Sequence, residues 1–259
     1  MAVKPGDFVW YELMANDLKA AEEFYRMVLG WDTKDAGMAG CPYTLVSAGK
    51  AMVGGLMVLP EDVRARGVGP CWSGYIMVDD VDAYVQRVKE AGGAVRREPE
   101  DIPGVGRFSV VADPYGAVFI LFKGAEEEMA PEYGDLRTPG KVGWHELWTD
   151  NLEEAFGFYS RLFGWVKAEA VDMGEMGIYQ TVKTAGSPEP VVGMMARQGK
   201  MPPPFWLYYF NTDSIDKAQA RVVQAGGKIL HGPQEIPDGR YVVQCADPQG
   251  APFALLGGR

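Results

Sequence analysis

The chain has no run of about twenty apolar residues, so no segment reads as a membrane-spanning helix. Only two of its 259 residues are histidine, His145 and His231. Neither has the spacing that gathers the three or four imidazole, carboxylate or thiolate groups of a tight transition-metal site. The three cysteines, Cys41, Cys71 and Cys245, form no CxxC pair. That excludes a zinc-ribbon or thioredoxin-type motif and leaves reduced thiols packed as small core residues. The opening MAVKPGDFVW lacks the apolar stretch of a secretory leader, and the expected location is cytoplasmic. Positive charge is short as well: 25 Lys and Arg stand against 35 Asp and Glu, a net charge of -10. Nucleic acid and anionic membrane surfaces are therefore not expected partners. No glycine-rich stretch forms a phosphate-cradling motif, and no cofactor is expected.

What the chain has in quantity is self-similarity. Trp10, Glu12, Leu13, Leu18, Ala21, Phe24, Tyr25, Gly30 and Trp31 recur, 134 residues later, as Trp144, Glu146, Leu147, Leu152, Ala155, Phe158, Tyr159, Gly164 and Trp165. The offset returns at Trp72/Trp206 and Tyr75/Tyr209, in AGG at 91–93 and 225–227, and in ADPYGAVF against ADPQGAPF. It drifts where YTLVSAG meets YQTVKTAG, which implies short insertions near 173–190. A period this long is a duplicated domain, not a solenoid. The expected boundaries are 4–123 and 142–258, with 124–141 as a linker whose Glu run, prolines and glycines read as surface.

Each half alternates strand and helix patterns. DFVWYELMA is dense in strand formers, and the next segment places Leu18, Ala21, Tyr25 and Val28 at helical spacing, with Asn16 or Asp17 as N-cap and Gly30 as stop. In the second half Asp150 with Glu153 has capping-box spacing. Three short strands follow, and then the unit starts over with the strand CWSGYIMVDD and the helix VDAYVQRVKEAGG, whose Val81, Tyr84, Val85 and Val88 face inward. The expectation is an α+β protein of four βαβββ modules.

A strand, an Asp/Asn-Leu, a helix carrying FY and then LGW or FGW resembles the first module of the vicinal-oxygen-chelate superfamily. That superfamily holds glyoxalase I, bleomycin- and fosfomycin-resistance proteins and extradiol dioxygenases. VDDVDAYVQRVKEAGGAV followed by VADPYGAVFILF resembles its second module. WYEL and WHEL are most similar to a tandem glyoxalase-like subgroup that includes a mycobacterial culture-filtrate antigen. The resemblance implies two tandem domains whose curved mixed sheets enclose clefts. It also implies pairing of the first module of one half with the second module of the other, an intramolecular pseudo-dimer in a monomer or a homodimer. The family's metal positions carry over to Trp10 and Trp144, to the neighbourhood of Ser73 and Leu207, and to Ile120 and Ala254. A further ligand would come from VGGLMV or VVGMMA. None of these is a usual donor, so no metal is expected.

Strand alternation puts Phe8, Trp10, Glu12 and Met14 on one face, with Val142, Trp144, Glu146 and Trp148 as equivalents. His145 then points the other way, packed under its helix as Tyr11 is. Glu12 and Glu146 are candidate acid/base groups, since a carboxylate among aromatics is a place where proton affinity is tuned. They serve equally well as structural carboxylates tied to a neighbouring strand. Trp10, Trp144, Met14, Trp148, Trp72, Trp206, Tyr75 and Tyr209 are candidate cleft walls, with core packing as the alternative for the aromatics. Arg107 and Arg240, on glycine-rich loops, are candidates for binding a carboxylate or phosphate. His231 has no assigned role. The leading expectation is a small-molecule-binding protein with aromatic, metal-free clefts. The alternatives are a glyoxalase-like lyase or isomerase using the two glutamates, and a metal-dependent dioxygenase or lyase with unrecognised ligands.

Overall fold

The computed structural model describes residues 3–38, 40, 42–125, 137–199 and 201–259. Cys41 and most of the expected linker, 126–136, lie outside the described residues. In the first half the elements are β1 (Phe8–Ala15), α1 (Leu18–Leu29), β2 (Asp32–Asp35), β3 (Tyr43–Ala48), β4 (Ala51–Val58), α2 (Glu61–Ala65), β5 (Cys71–Met77), α3 (Val81–Glu90), β6 (Ala94–Ile102), β7 (Gly106–Ala112) and β8 (Val118–Gly124). The second half repeats them as β9 (Val142–Thr149), α4 (Leu152–Phe163), β10 (Val166–Asp172), β11 (Ile178–Lys183), β12 (Val192–Ala196), β13 (Phe205–Thr212), α5 (Ile215–Gln224), β14 (Lys228–Glu235), β15 (Tyr241–Ala246) and β16 (Pro252–Gly257). Among the described residues no helix is long and apolar enough to cross a membrane.

The strands form two eight-stranded sheets in the orders β2-β3-β4-β1-β5-β8-β7-β6 and β10-β11-β12-β9-β13-β16-β15-β14. Both are mixed: β1 runs parallel to β4 and β9 to β12, whereas β3 and β4, and β11 and β12, are antiparallel. This is the α+β arrangement of four βαβββ modules.

The helices follow from their caps and apolar stripes. Asp17 accepts the backbone N–H of Ala20, Gly30 closes α1 in the left-handed region at φ 71°, and Ala21, Phe24, Tyr25 and Val28 are buried. Glycine suits that stop because a side chain there would strain the backbone. The start of α4 corrects the sequence expectation. Asn151, not Asp150, is the N-cap and accepts the N–H of Glu154. Asp150 lies one residue too early and instead takes a hydrogen bond from Arg197 Nε. The short α2, which buries no residue, had no place in the sequence reading.

Packing divides the residues into two compact units: Met1–Val9 with Ser73–Gly134 and Trp144–Trp206, and Trp10–Trp72 with Asp135–Gly143 and Leu207–Arg259. Each unit thus combines the first module of one half with the second module of the other, as the resemblance implied. The sheets, by contrast, take up consecutive modules.

In the unit holding α1, the Tyr25 hydroxyl accepts Trp72 Nε1–H at 2.9 Å and donates to Asp247 Oδ2 at 3.2 Å. Asp247 Oδ1 in turn accepts the backbone N–H groups of Gln249 and Ala251. In the other unit Tyr159 accepts from Trp206 Nε1 at 3.1 Å and donates to Asp113 Oδ2 at 3.2 Å, with Asp113 Oδ1 holding Tyr115 and Ala117 N–H. The Asp-Pro turn of one half is therefore fastened to the first helix of the other. The indole N–H of Trp31 likewise donates to Gly140 O, and that of Trp165 to Gly6 O, each at 2.8 Å.

Candidate functional site

Glu146 lies on β9 between Trp144 and Trp148, all three on one strand face. Trp148 Nε1–H donates to Glu146 Oε1 at 2.7 Å, and the Tyr179 hydroxyl, from β11, donates to Oε2 at 3.0 Å. Trp144 Nε1–H donates to the Tyr179 oxygen at 2.7 Å. The result is a directed chain, indole to phenol to carboxylate, in which each bond polarises the next. Glu146 is 5% exposed, whereas the Trp144 and Tyr179 rings are half-buried and present surface to solvent.

A glycine makes this arrangement fit. Glu146 pairs with Gly193 on β12, and a Cβ built on Gly193 would lie 2.0 Å from Tyr179 Oη and 2.3 Å from Cζ. The phenol occupies the space that any side chain at 193 would take. The first half repeats the construction. Trp10 Nε1–H donates to Tyr43 Oη at 3.0 Å, Glu12 pairs with Gly55, and a Cβ on Gly55 would meet Tyr43 Oη at 2.1 Å. Position 14 is Met instead of Trp, so this half lacks the second indole donor. Beside Glu12 lies Cys71, whose thiol is pushed up to about 11, first by burial and then by the Glu12 charge. Cys245 is pushed up to about 12 by burial alone. Both are poor nucleophiles, as expected of packed thiols.

Tyr43 and Tyr179 were missed in the sequence. Their signal was the repeated Tyr of YTLVSAG and YQTVKTAG, hidden by the drifting offset. Of the other expected wall residues, Tyr75 is buried edge-on to Phe122 at 5.8 Å, and Tyr209 is buried with its hydroxyl accepting from Gln244 Nε2 at 3.3 Å. Trp72 and Trp206 do not join them. An odd separation along a strand puts 72 and 75, and 206 and 209, on opposite faces. Both indoles are instead buried in aromatic clusters, Trp72 against Tyr25, Trp31 and Phe210, and Trp206 against Phe8, Tyr159 and Trp165.

Arg107 also departs from expectation. It lies in β7, and its guanidinium binds Asp82 through Nε and Nη2 at 2.7 and 2.9 Å and Asp101 through Nη1 at 2.9 Å. Arg240 is held by Asp238, with Nε at 2.7 Å. Each guanidinium is committed to neighbouring carboxylates.

His145 is 3% exposed and stacks on the Phe8 ring, centroids 4.0 Å apart at 9°. Its Nδ1 lies 2.8 Å from Val191 O, and because a carbonyl only accepts, Nδ1 carries the proton. Burial pulls its proton affinity down to about 4, against the opposing pull of that carbonyl. Its partners differ from those of Glu146, as alternation requires. Phe8 sits against His145, Trp165 and Trp206. Tyr11 meets the ring of Tyr208, a strand residue, at 5.5 Å. The exposed His231 pairs with Gln234 at 3.0 Å.

The resemblance implies a metal, and the residues present do not fit one. Trp10 and Trp144 offer only indole N–H groups, which donate to tyrosines. Ile120 and Ala254 have no donor atom. Gly55 and Gly193, which pair with the glutamates on β4 and β12, are overlain by phenol rings. Among the described residues no three His, Cys, Asp or Glu side chains are grouped as a metal site.

Comparison with known proteins agrees with this architecture. A family model described as Glyoxalase/Bleomycin resistance protein/Dioxygenase superfamily matches residues 7–121 and again 141–255. CFP32 of Mycobacterium bovis, named as a glyoxylase, is 33% identical over 250 residues, covering 95% of this chain and 93% of that protein. The anthracycline biosynthesis protein DauV of Streptomyces sp. (strain C5) is 32% identical over 267 residues, covering 97% and 93%. Among solved structures, the Mn(II)-bound glyoxalase from Novosphingobium aromaticivorans superposes with a TM-score of 0.67 at 19% identity, over 98% of this chain and 82% of that one. Sequence repeat, twin sheets and a family match in each half lead to one conclusion: the chain is a tandem member of the glyoxalase/bleomycin resistance protein/dioxygenase superfamily.

Proposed function

We propose that the chain binds a small organic molecule at its Trp–Tyr–Glu constellations, without a catalytic transition metal. The observation that carries this reading is the Glu146 constellation, a buried carboxylate oriented by Trp148 and Tyr179 beneath half-buried aromatic rings. Aromatic surface beside a few fixed polar groups is the usual make-up of a small-molecule site. In this reading Trp10, Trp144, Met14 and Trp148 contact the ligand, and the protein works in the cytoplasm as a monomer with an internal pseudo-dimer. Because DauV is named for anthracycline biosynthesis, fused-ring aromatic compounds of that type are the first probes. Titration should quench tryptophan emission saturably, and Trp10→Leu with Trp144→Leu should weaken binding by about tenfold or more. Flat titrations across a fused-ring panel would overturn the reading.

Its metal-free part has a separate test. Protein purified without added metal should hold far less than one equivalent of Zn, Ni, Fe or Mn, and a chelator should leave its melting temperature unchanged. Stoichiometric metal that survives dialysis, with activity restored by one ion, would sink that part. A second reading, favoured by the paired carboxylates and by the name of CFP32, makes Glu12 and Glu146 acid/base groups of a lyase or isomerase. Turnover of hemithioacetals by the wild type but not by Glu12→Gln/Glu146→Gln would select it.

A further inference from the structure

We infer that the two sites differ in the size of ligand they admit. The first-half site, floored by Met14 and Met57, takes extended polycyclic rings, whereas the second-half site, walled by Trp148, takes only small ring compounds. The inference rests on the proposed small-molecule reading and names the ligand class of each site.

The sites can be compared part by part, because both stand on one framework. Glu12 pairs with Gly55 and Glu146 with Gly193, Met14 pairs with Met57 and Trp148 with Met195. Tyr43 pairs with Met57, and Tyr179 with Met195. Paired residues share a sheet face, so these side chains lie with Trp10 and Trp144 on the glutamate side. On this common frame an indole, Trp148, stands where the first half has the narrower Met14. Phe205 stands at the repeat position of Cys71, which lies close enough to Glu12 to feel its charge. Leu45 in place of Thr181 runs the other way but adds little bulk. Exposure follows bulk. Trp148 is 9% exposed and its neighbour Met195 only 3%, whereas Met14 and Met57 are both part-exposed. Solvent reaches the methionine floor, and a flat apolar ligand can displace it. Thioether chains are flexible and pack well against rings, so that floor can reshape around its occupant. Trp148 has no such freedom. Its Nε1–H is fixed on Glu146 Oε1 at 2.7 Å, and the ring cannot swing aside without breaking a buried, charge-assisted hydrogen bond. Positions 14 and 148 are thus the specificity-determining pair.

The test holds the polar group constant and changes the ring. Equilibrium dialysis of the full chain at neutral pH counts the sites for 2-naphthol and for the larger 1-hydroxypyrene. The wild type should bind naphthol at both sites and hydroxypyrene at one. Met14→Trp gives the first half its twin's side chain, and it should weaken hydroxypyrene binding by about tenfold or more while naphthol keeps both sites. Trp148→Met should open the second half, so that hydroxypyrene occupies both. Each variant uses a residue that the same frame already holds in the other half. If one fails to fold by circular dichroism, the other decides together with the wild-type count. Hydroxypyrene bound at both wild-type sites or at neither, or naphthol bound at only one, would overturn this inference while leaving an aromatic site standing. Unchanged hydroxypyrene binding in either folded variant would overturn it too. Failure of both compounds to bind would overturn the proposed function and this inference with it.

Discussion

Gly193 and Gly55 hold the two tyrosines by leaving room for them. Alanine at 193 would place a methyl 2.0 Å from the Tyr179 oxygen, so the ring must lift. It would then take its O–H from Glu146 and its oxygen from Trp144 at once. Gly193→Ala should cost about 1–3 kcal/mol, through overpacking and a weakened buried hydrogen-bond chain. Urea unfolding measures the cost, and a changed Trp emission reports the displaced phenol. A surface alanine that leaves both readouts alone is the control. His145 makes a prediction of a different kind. Its folded affinity for protons, down to about 4, lies below that of an ordinary histidine near 6.5. The native state therefore stays neutral while the unfolded chain takes up a proton. Stability is unaffected above about pH 6.5 and falls by about 3 kcal/mol as the pH drops toward 4. His145→Phe should flatten that decline. It leaves Val191 O satisfied, because the backbone N–H of His145 also donates there at 3.1 Å. Melting temperatures at pH 7, 6 and 5 decide it, and equal slopes for wild type and variant would refute the assignment.

The Asp-Pro turns and first helices form the next level. Burial holds the Tyr25 hydroxyl well above the usual phenol range, so it stays protonated and donates to Asp247. Tyr25→Phe removes that bond and also strips the buried Trp72 N–H of its acceptor. The expected loss is about 2–4 kcal/mol for the two unsatisfied groups, read as a lower urea midpoint. Tyr159→Phe should do the same through Asp113 and Trp206. A loss under about 0.5 kcal/mol would mean that solvent replaces the missing hydroxyl. At this scale much was legible in advance. Alternation along FVWYELMA separates Glu12 from Tyr11, and helical spacing picks out Val81, Tyr84, Val85 and Val88 as buried. The same alternation, applied to CWSGYIM, would have placed Trp72 and Tyr75 on opposite faces. What no local pattern could show was partnership between distant segments. The aspartates that claim Arg107, or the tyrosine that lies over Gly193, are visible only once the strands are side by side.

In the molecule as a whole, the fastenings cross the duplication. Tyr25 answers Asp247, Tyr159 answers Asp113, Trp31 answers Gly140 and Trp165 answers Gly6. A chain cut to residues 1–123 would therefore keep Tyr25 and Asp113 but lose the partner of each. Because the two positions are repeat equivalents, a second copy can supply both. The fragment should associate into dimers, or precipitate, while the full chain stays in solution, and light scattering after size exclusion distinguishes them. A stable, monomeric 1–123 fragment would show that these bonds contribute little to holding either half folded.

The duplication has one more consequence, for inheritance. In a symmetric dimer every mutation appears twice, so an ancestor cannot alter one site without altering its twin. Here the twins are separately encoded, and they have already parted ways. Met14 faces the role of Trp148, Cys71 that of Phe205, and Gln249 that of Tyr115. Substitutions can collect in one copy of a module while the other keeps the original residues, so a single gene can hold both an experiment and its backup copy.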